Sequence, residues 1–333
     1  MKKLYVMLLS LFIITFAIVA GEMLKNDIQG SVLTAASQHI KWVEFSVPKA
    51  AIEDAIKLDI ATKNTAQHIP MARSLAYLSA KSYGKLKSYK KGSLVSLAEK
   101  TGNFTKEPEN TKLFDYYLEA YGAAIGGLVG KYTKLTQNDD GSISQSEEYG
   151  LRAFSPIASG YYYNDYDDFG ASRSYGYKRS HLGHDMLGSV GTPIIAVESG
   201  RVEAIGWNQY GGWRIGIRSF DGLRYYYYAH LRKDHPYCDI YEGKIVNAGE
   251  VIGYLGMTGY SAKENTNNID IPHLHFGLQL IFDEEQKEGT NQIWIDVYEL
   301  SKFLYKNRSE VFFDKESGES KAKTVYIYEE TPD

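Results

Sequence analysis

Apolar residues recur at helical spacing along the first third of the chain. The clearest stripe is Ile52, Ala55 and Ile56 in SVPKAAIEDAIKLDI, where Ser46 and Pro48 are helix-start signals. The same spacing predicts three further helices, over residues 71–81, 93–100 and 110–125. These stripes are typical of core packing, and no cluster of reactive side chains lies among them.

The pattern changes in the middle of the chain. Residues 136–160 are rich in polar and turn-forming residues, as in TQNDDGSISQSEEYG, which predicts a linker or domain entry. Beyond residue 190 short apolar runs alternate with turn signals. Ser199–Gly200 in TPIIAVESGRVEAIGW and Asp221–Gly222 in WRIGIRSFDGLRYYYYAHL each predict a β-hairpin.

Together the patterns predict an α+β chain, in which a helical domain precedes an antiparallel, β-rich domain. One late helix is expected over residues 297–306. The predicted boundaries are 1–21 for a signal peptide or membrane anchor, 22–135 for the helical domain, 136–160 for the linker, 161–310 for the β-rich domain and 311–333 for a charged tail.

The chain begins with MKKLYVMLLSLFIITFAIVAGE, in which Lys2 and Lys3 precede an uncharged apolar run from Leu4 to Ala20. A run of about 17 residues is long for the core of a signal peptide and marginal for a membrane span. Both a cleaved signal and an uncleaved anchor stay open, with the anchor preferred. Either one predicts that the remaining residues are exported, anchored to the cell membrane or secreted.

Composition narrows the chemistry. The net charge is −4 and no basic stripe is present, so nucleic acid is not expected as a partner. Cys238 is the one cysteine of the 333 residues, which excludes a disulfide within the chain and a cysteine-rich zinc site. Any metal must therefore be held by His, Asp or Glu. The 28 tyrosines favour β structure or a polar ligand surface.

Two histidines flank one leucine in IPHLHFG, residues 271–277. Pro272 disfavours helical geometry in the preceding residue, so the run predicts a strand. In a strand His273 and His275 share one face, while Leu274 and Phe276 point to the other. This arrangement indicates either a metal or catalytic site or a coincidence.

Six of the eight histidines lie between residues 181 and 275. A catalytic zinc site without cysteine needs three His, Asp or Glu ligands and an open position. His181 and Asp185 are a plausible first pair, although a straight strand would separate them by about 13 Å. The chain must bend between them, and Gly183 allows a bend. His230 ends a tyrosine-rich strand that could lie beside the His-x-His strand.

Five stretches occur in a characteristic order: HLGHD, GTPIIAVESGRV, YAHL, GEVIGYLGMTG and PHLHFG. This ordered set resembles the M23 family of zinc peptidases, the lysostaphin-type group that cleaves peptide bonds in bacterial cell-wall peptidoglycan. The resemblance covers about residues 179–280. It implies an M23-type β-sheet domain, a Zn2+ cofactor and peptidoglycan peptides as the substrate.

The resemblance also implies a role for each matching residue. His181, Asp185 and His275 would be the zinc ligands, and His273 the catalytic base acting on water. His230 would orient that water or stabilise the developing oxyanion. These roles agree with general chemistry, because a zinc ion acidifies water and a neutral imidazole can move its proton.

Other residues near the motifs have less defined roles. Tyr175 and Tyr177 are candidates for a tyrosine that family members use on the tetrahedral intermediate, and Arg179 could pair with a carboxylate; groove wall or packing is the alternative. His184 departs from the family pattern, which usually has an aliphatic residue at this position. We expect its side chain to pack, to lie on the surface or to support the ligands. His235 is expected on a loop surface.

Two segments depart from the family pattern. The stretch AKENTNNIDI before Pro272 is an insertion expected to reshape substrate contacts. The acidic run YYYNDYDDFG is either a solvated loop or a segment that covers the groove or contacts a substrate amine. The leading function is a zinc endopeptidase acting on cell-wall peptides. The alternatives are a non-catalytic scaffold or activator module and a zinc hydrolase of other small peptides.

Overall fold

The computed structural model describes residue 43 and residues 45–105, 108–175 and 177–328. The predicted signal peptide or anchor at 1–21 lies outside these residues. Val43–Asp333 form one compact unit. Within the described part of the chain, no helix combines the length and apolarity needed to cross a membrane.

Four helices open the described chain: α1 (Lys49–Thr62), α2 (Met71–Ser82), α3 (Ser93–Lys100) and α4 (Thr111–Ile125). All four were predicted from their apolar stripes. Ile52 and Ala55 are fully buried, as the helical spacing requires. Asn110 caps α4 by accepting a hydrogen bond from the backbone N–H of Leu113. A short 3-10 helix, Gly126–Leu128, then leads into the first strand.

The structure corrects the predicted linker and tail. Strands β1 (Val129–Gln137) and β2 (Ile143–Leu151) pair along their whole length, and much of this hairpin lies in the supposed linker. The supposed tail forms β15 (Val311–Asp314), β16 (Glu319–Ala322) and β17 (Thr324–Ile327). β17 completes a three-stranded antiparallel sheet by pairing with β1. The polar residues predicted to form a linker instead occupy solvent-facing positions of β2.

The main sheet has eight antiparallel strands, in the order β11-β8-β9-β10-β13-β6-β3, with β14 also on β13. The strands of this sheet are β3 (Asn164–Asp165), β6 (His184–Leu187), β8 (Gly200–Asn208), β9 (Gly212–Ser219), β10 (Arg224–Ala229), β11 (Ile245–Val246), β13 (His273–Leu280) and β14 (Ile293–Trp294). A β4–β5 hairpin (Ser172–Tyr175 and Tyr177–Ser180) precedes β6. Helices α5 (Glu284–Glu288) and α6 (Tyr298–Leu304) flank β14, and α6 agrees with the predicted late helix.

One of the two predicted hairpins is present. β9 and β10 pair around Asp221–Gly222, as the pattern predicted. The hairpin predicted at Ser199–Gly200 was wrong, because β7 (Pro193–Ile195) pairs with β12 (Val251–Tyr254) while β8 pairs with β9. Ser199 is instead held by later residues: its hydroxyl donates to the Tyr326 carbonyl and accepts from the Ala248 N–H.

A buried charge network joins the helices to the main sheet. Arg224 is fully buried and its Nε donates to the Glu198 carboxylate at 2.8 Å. Its Nη1 donates to the carbonyl of Ala123, near the end of α4, at 2.6 Å. The Tyr226 hydroxyl donates to the same Glu198 carboxylate at 2.6 Å. Because a buried ion needs this degree of satisfaction, the network fixes α4 against the sheet that carries the site.

Candidate metal centre

Strand β13 carries both histidines of the His-x-His pair. His275 is the direct cross-strand partner of Asp185 on β6 and of Ala229 on β10. Leu274 and Phe276 point into the core and are 0% and 1% exposed. The two histidines therefore lie on the opposite, groove-facing side of the sheet, as predicted from the two-residue strand period.

Three side-chain atoms converge beside this strand. His181 Nε2 is 2.9 Å from His275 Nδ1 and 3.0 Å from Asp185 Oδ1, and His275 Nδ1 is 3.0 Å from the same oxygen. A tetrahedral zinc ion with bonds of about 2.0–2.1 Å separates its ligand atoms by about 3.3 Å. Two imidazole nitrogens and one carboxylate oxygen at this spacing fit such an ion.

The chain turns sharply between His181 and β6. Residues 181–183 belong to no strand, and this break brings the His181 side chain onto Asp185. Gly183 is required here for space, since a Cβ built on it would lie 2.5 Å from Cε1 of His275. Gly183 does not have a positive φ. At the predicted bend, glycine is therefore needed because His275 lies so close, and not because of an unusual backbone conformation.

Two further histidines, His273 and His230, lie beside this cluster of three side chains without being part of it. Nδ1 of His273 contacts the Ile271 carbonyl at 2.8 Å, and Nδ1 of His230 contacts the Thr258 carbonyl at 2.9 Å. A carbonyl can only accept, so each Nδ1 carries the proton and each Nε2 keeps its lone pair in the neutral ring. His273 Nε2 lies 3.8 Å from Asp185 Oδ1, and the rings of His230 and His273 are 4.8 Å apart.

Comparison with known proteins places this site in a family. Residues 179–292 match the model of peptidase family M23. The chain contains an M23 peptidase domain. Over 123 residues it is 39% identical to the L-Ala--D-Glu endopeptidase of Bacillus subtilis, covering 37% of this chain and 36% of that protein.

Two other relatives match the same domain. Lysostaphin of Staphylococcus simulans is 39% identical over 97 residues, which are 29% of this chain and 17% of that protein. The peptidoglycan DD-endopeptidase ShyC of Vibrio cholerae is 34% identical over 98 residues, which are 29% of this chain and 20% of that protein. The matches thus span about a third or less of each relative's own length.

Charges within the M23 domain suit a metal. Burial lowers the pKa of His230 well below its usual value, and the nearby His273 and His275 lower it further. Burial also lowers the pKa of His275. For Asp185 burial alone would raise the pKa, but hydrogen bonds from His181 and His275 prevail and hold it far below the usual range. Neutral imidazoles beside an ionised carboxylate are the protonation states that metal binding requires.

Side chains behind the candidate ligands His181 and Asp185 contact them. His181 Nδ1 is 3.2 Å from the backbone oxygen of Asp168 and 3.2 Å from its carboxylate Oδ1. Only the backbone oxygen is aligned as an acceptor, since Oδ1 is buried and has no hydrogen-bond partner among the described residues. Arg173 Nη2 donates to the other oxygen of Asp168 and lies 3.4 Å from Asp185 Oδ2. Such contacts orient metal ligands and tune their basicity.

The sequence did not single out Asp168 and Arg173. Asp168 belongs to the acidic run YYYNDYDDFG, whose residues do not line the groove, so the structure does not support the interpretation that this run covers the groove; Asp168 instead contacts His181 from behind the cluster. Asp165 from the same run contacts His184 Nε2 at 3.0 Å. The available signal was the equal spacing of two pairs: Asp165 and Asp168 are three residues apart, and so are His181 and His184.

The cluster of His181, Asp185 and His275 lies in a groove of about 840 Å³. Its walls include Arg179, stacked 5.1 Å from the Tyr210 ring and 5.2 Å from the Tyr260 ring. Tyr175 and Tyr177 lie at the turn of the β4–β5 hairpin, and their side chains lie outside what the structure describes.

The remaining histidines of the M23 domain lie away from the cluster. His184 is 2% exposed, and its ring packs 5.3 Å from that of Tyr298. His235 has a side chain that is 52% exposed and pairs with Glu319 at 2.6 Å. Packing for His184 and a loop surface for His235 agree with the sequence patterns.

Proposed function

We propose that this chain is a zinc-dependent endopeptidase that hydrolyses peptide bonds in bacterial cell-wall peptidoglycan. The observation that carries the proposal is the convergence of His181 Nε2, Asp185 Oδ1 and His275 Nδ1 within 2.9–3.0 Å of one another in an open groove. The names of the relatives, which include L-Ala--D-Glu and peptidoglycan DD-endopeptidases, support peptidoglycan as the substrate class.

His181, Asp185 and His275 would hold the zinc ion. When bound, zinc supplies a Lewis acid for the scissile carbonyl and lowers the pKa of water. Asp168 and Arg173 keep two of the three ligands oriented through their contacts with His181 and Asp185. The absence of a thiol among the ligands agrees with a catalytic rather than a structural zinc site.

His273 is the proposed general base. Its Nδ1 is held by the Ile271 carbonyl, so its Nε2 lone pair can take a proton from the attacking water. The same nitrogen can return that proton to the leaving amine, which completes hydrolysis without a change in the net protonation of the ring.

His230 is proposed to position the attacking water. Burial keeps its pKa low and its ring neutral, and Nδ1 is engaged with the Thr258 carbonyl. Its free Nε2 is therefore a hydrogen-bond acceptor for water. This tautomer favours orientation of the water over donation to an oxyanion.

The proposed location is outside the cytoplasm, either anchored to the cell membrane or secreted. The apolar run from Leu4 to Ala20 after two lysines supports export, and peptidoglycan lies on that side of the membrane. A fusion of residues 1–42 to a reporter that is active only after export would test it. Retention of the reporter in the cytoplasm would contradict the proposal.

Digestion of purified peptidoglycan by the full chain tests the activity. The chain is stripped with a chelator, reloaded with one equivalent of zinc, and the released fragments are identified by mass. We expect zinc-restored cleavage of peptide bonds that is lost in His273→Ala and retained in His235→Ala, a histidine control outside the groove. Bound zinc without cleavage, or no zinc at all, would favour the non-catalytic scaffold.

A further inference from the structure

The charges in the groove are unevenly paired. Every carboxylate that lines it has a cation nearby: Glu203 and Glu288 contact Lys287, and Asp185 contacts Arg173. Among the ion pairs of the described residues, neither Arg179 nor Arg214 takes part, although both line the groove. The groove therefore has two guanidinium charges that no carboxylate of the described chain neutralises.

Both guanidinium groups also have an unsatisfied donor. Nη1 of Arg179 and Nε of Arg214 are buried and have no hydrogen-bond partner among the described residues. A buried donor without an acceptor costs stability, so such a group in a groove indicates a missing partner. For a guanidinium the matching partner is a carboxylate, which can accept two parallel hydrogen bonds.

Arg214 has the better position for a substrate group. Asp185, His275 and Ala229 form one cross-strand row, and continuing the β9–β10 register by one residue sets Arg214 opposite Ala229. Two strand spacings place its backbone about 10 Å from that of His275. Arg214 thus lies in the row of the metal ligands, on the same face of the sheet.

The floor around Arg214 is open. Its neighbour on β10 is Ala229, which has a single methyl group, and its neighbour on β8 is Gly206, around whose missing Cβ no atom lies within 4 Å. Tyr225 lines the groove close by, and burial raises the pKa of its hydroxyl to about 12, so it supplies no counter-charge at neutral pH. Space and charge both remain for a ligand.

We propose that Arg214 is a specificity residue that binds a free carboxylate of the peptide substrate. The inference rests on the proposed peptidase function and adds that the preferred substrate is an acidic peptide. An extended peptide advances about 3.3 Å per residue, so the carboxylate would belong to a residue within about three positions of the cleaved bond.

The test compares two synthetic peptides with the full chain loaded with zinc. Both contain an L-Ala–D-Glu bond, and they differ only in whether the free carboxyl group of the glutamate is a carboxylate or a carboxamide. We expect the unmodified chain to favour the carboxylate by about 10- to 100-fold in kcat/KM, the range for a charge-assisted pair. Arg214→Gln should lose this preference, because its kcat/KM on the carboxylate peptide should fall to the level of its kcat/KM on the carboxamide peptide.

Two further variants sharpen the result. Arg214→Lys retains the positive charge but loses the two parallel N–H donors of the guanidinium, so we expect an intermediate preference for the carboxylate peptide. Arg201→Gln is the control, because Arg201 is exposed on β8 and does not line the groove; it should keep the full preference.

The outcomes separate the two proposals. Equal cleavage of both peptides by the unmodified chain, or an equal loss on both in Arg214→Gln, would overturn the role of Arg214 and leave the peptidase proposal intact. Failure of the zinc-loaded chain to cleave either peptide or peptidoglycan would overturn the proposed function and this inference with it.

Discussion

Replacing Gly183 by alanine would test how narrowly the structure fixes the side chain of His275, the third of the proposed zinc ligands. The added Cβ would lie 2.5 Å from Cε1 and 2.6 Å from Nε2 of His275, and 2.9 Å from the backbone oxygen of Phe276. Phe276 pairs with His184 across β13 and β6, so that side of the contact cannot retreat. The imidazole of His275 must therefore move.

The size of the effect follows from these distances. Ordinary contact with a Cβ begins at 3.4 Å, so the ring must shift by about 0.9 Å. Metal sites tolerate ligand displacements of about 0.2 Å, and a misplacement of about 1 Å commonly costs on the order of 100-fold. We expect zinc affinity to fall about 100-fold, or about 2.7 kcal/mol, and peptidase activity at limiting zinc to fall with it.

The assay is a competition titration of zinc against a chromogenic chelator, with circular dichroism to verify folding. Gly122→Ala is the matched control, because no atom lies within 4 Å of its added Cβ in helix α4. It should leave zinc binding unchanged and stabilise the helix by about 0.5–1 kcal/mol. If folded Gly183→Ala binds zinc within threefold of the unmodified chain, the steric argument is refuted.

Three other predictions concern the same centre. His273→Ala should lower kcat by about 10²–10⁴-fold while zinc content by atomic emission stays at one per chain; loss of the metal would contradict its role as base. Asp168→Asn removes the charge that pairs with Arg173, which lies 3.4 Å from Asp185 Oδ2, so zinc binding should weaken about 10- to 100-fold in the chelator titration; an unchanged affinity would exclude support of Asp185 through this ion pair. Because folding lowers the pKa of His230 and His275 below 6.5, the unfolded chain binds more protons near that pH. Metal-free stability should therefore fall as pH drops below about 6.5; equal urea midpoints at pH 5 and pH 7.5 would refute this.

Local patterns were enough to predict the four helices and the strand that carries His273 and His275, whereas the set His181, Asp185 and His275 came from the resemblance to M23 peptidases and stays a prediction as a ligand set. The stripe in α1 needs only helical periodicity, and His273 with His275 needs only the two-residue period of a strand. The β1–β2–β17 sheet could not be predicted in this way, since Thr136 pairs with Thr324 and no local signal links such distant residues. The polar surface of β2 then appeared as a linker.

The failure at Ser199–Gly200 has a similar origin. Two apolar runs around a turn signal normally pair with each other, but here Ser199 bonds to Ala248 and to the Tyr326 carbonyl of β17. Ser199 is thus held by residues distant in the sequence, and β7 pairs with β12 instead of β8. A turn residue therefore predicts a change of direction, while the partner strand depends on distant residues.

The contacts of the acidic run YYYNDYDDFG with the two histidines of HLGHD could have been predicted from residue spacing. Asp165 contacts His184, and Asp168 contacts His181. Three residues forward in the acidic run therefore correspond to three residues backward in HLGHD, as expected for two antiparallel segments. One alignment thus places an aspartate beside both histidines of HLGHD, in contact with His184 through its carboxylate and with His181 through its backbone oxygen. The candidate ligand His181 and the packing residue His184 are distinguished by the face of the chain on which each lies. That distinction requires the bend at Gly183, which places His181 on the groove side of the sheet.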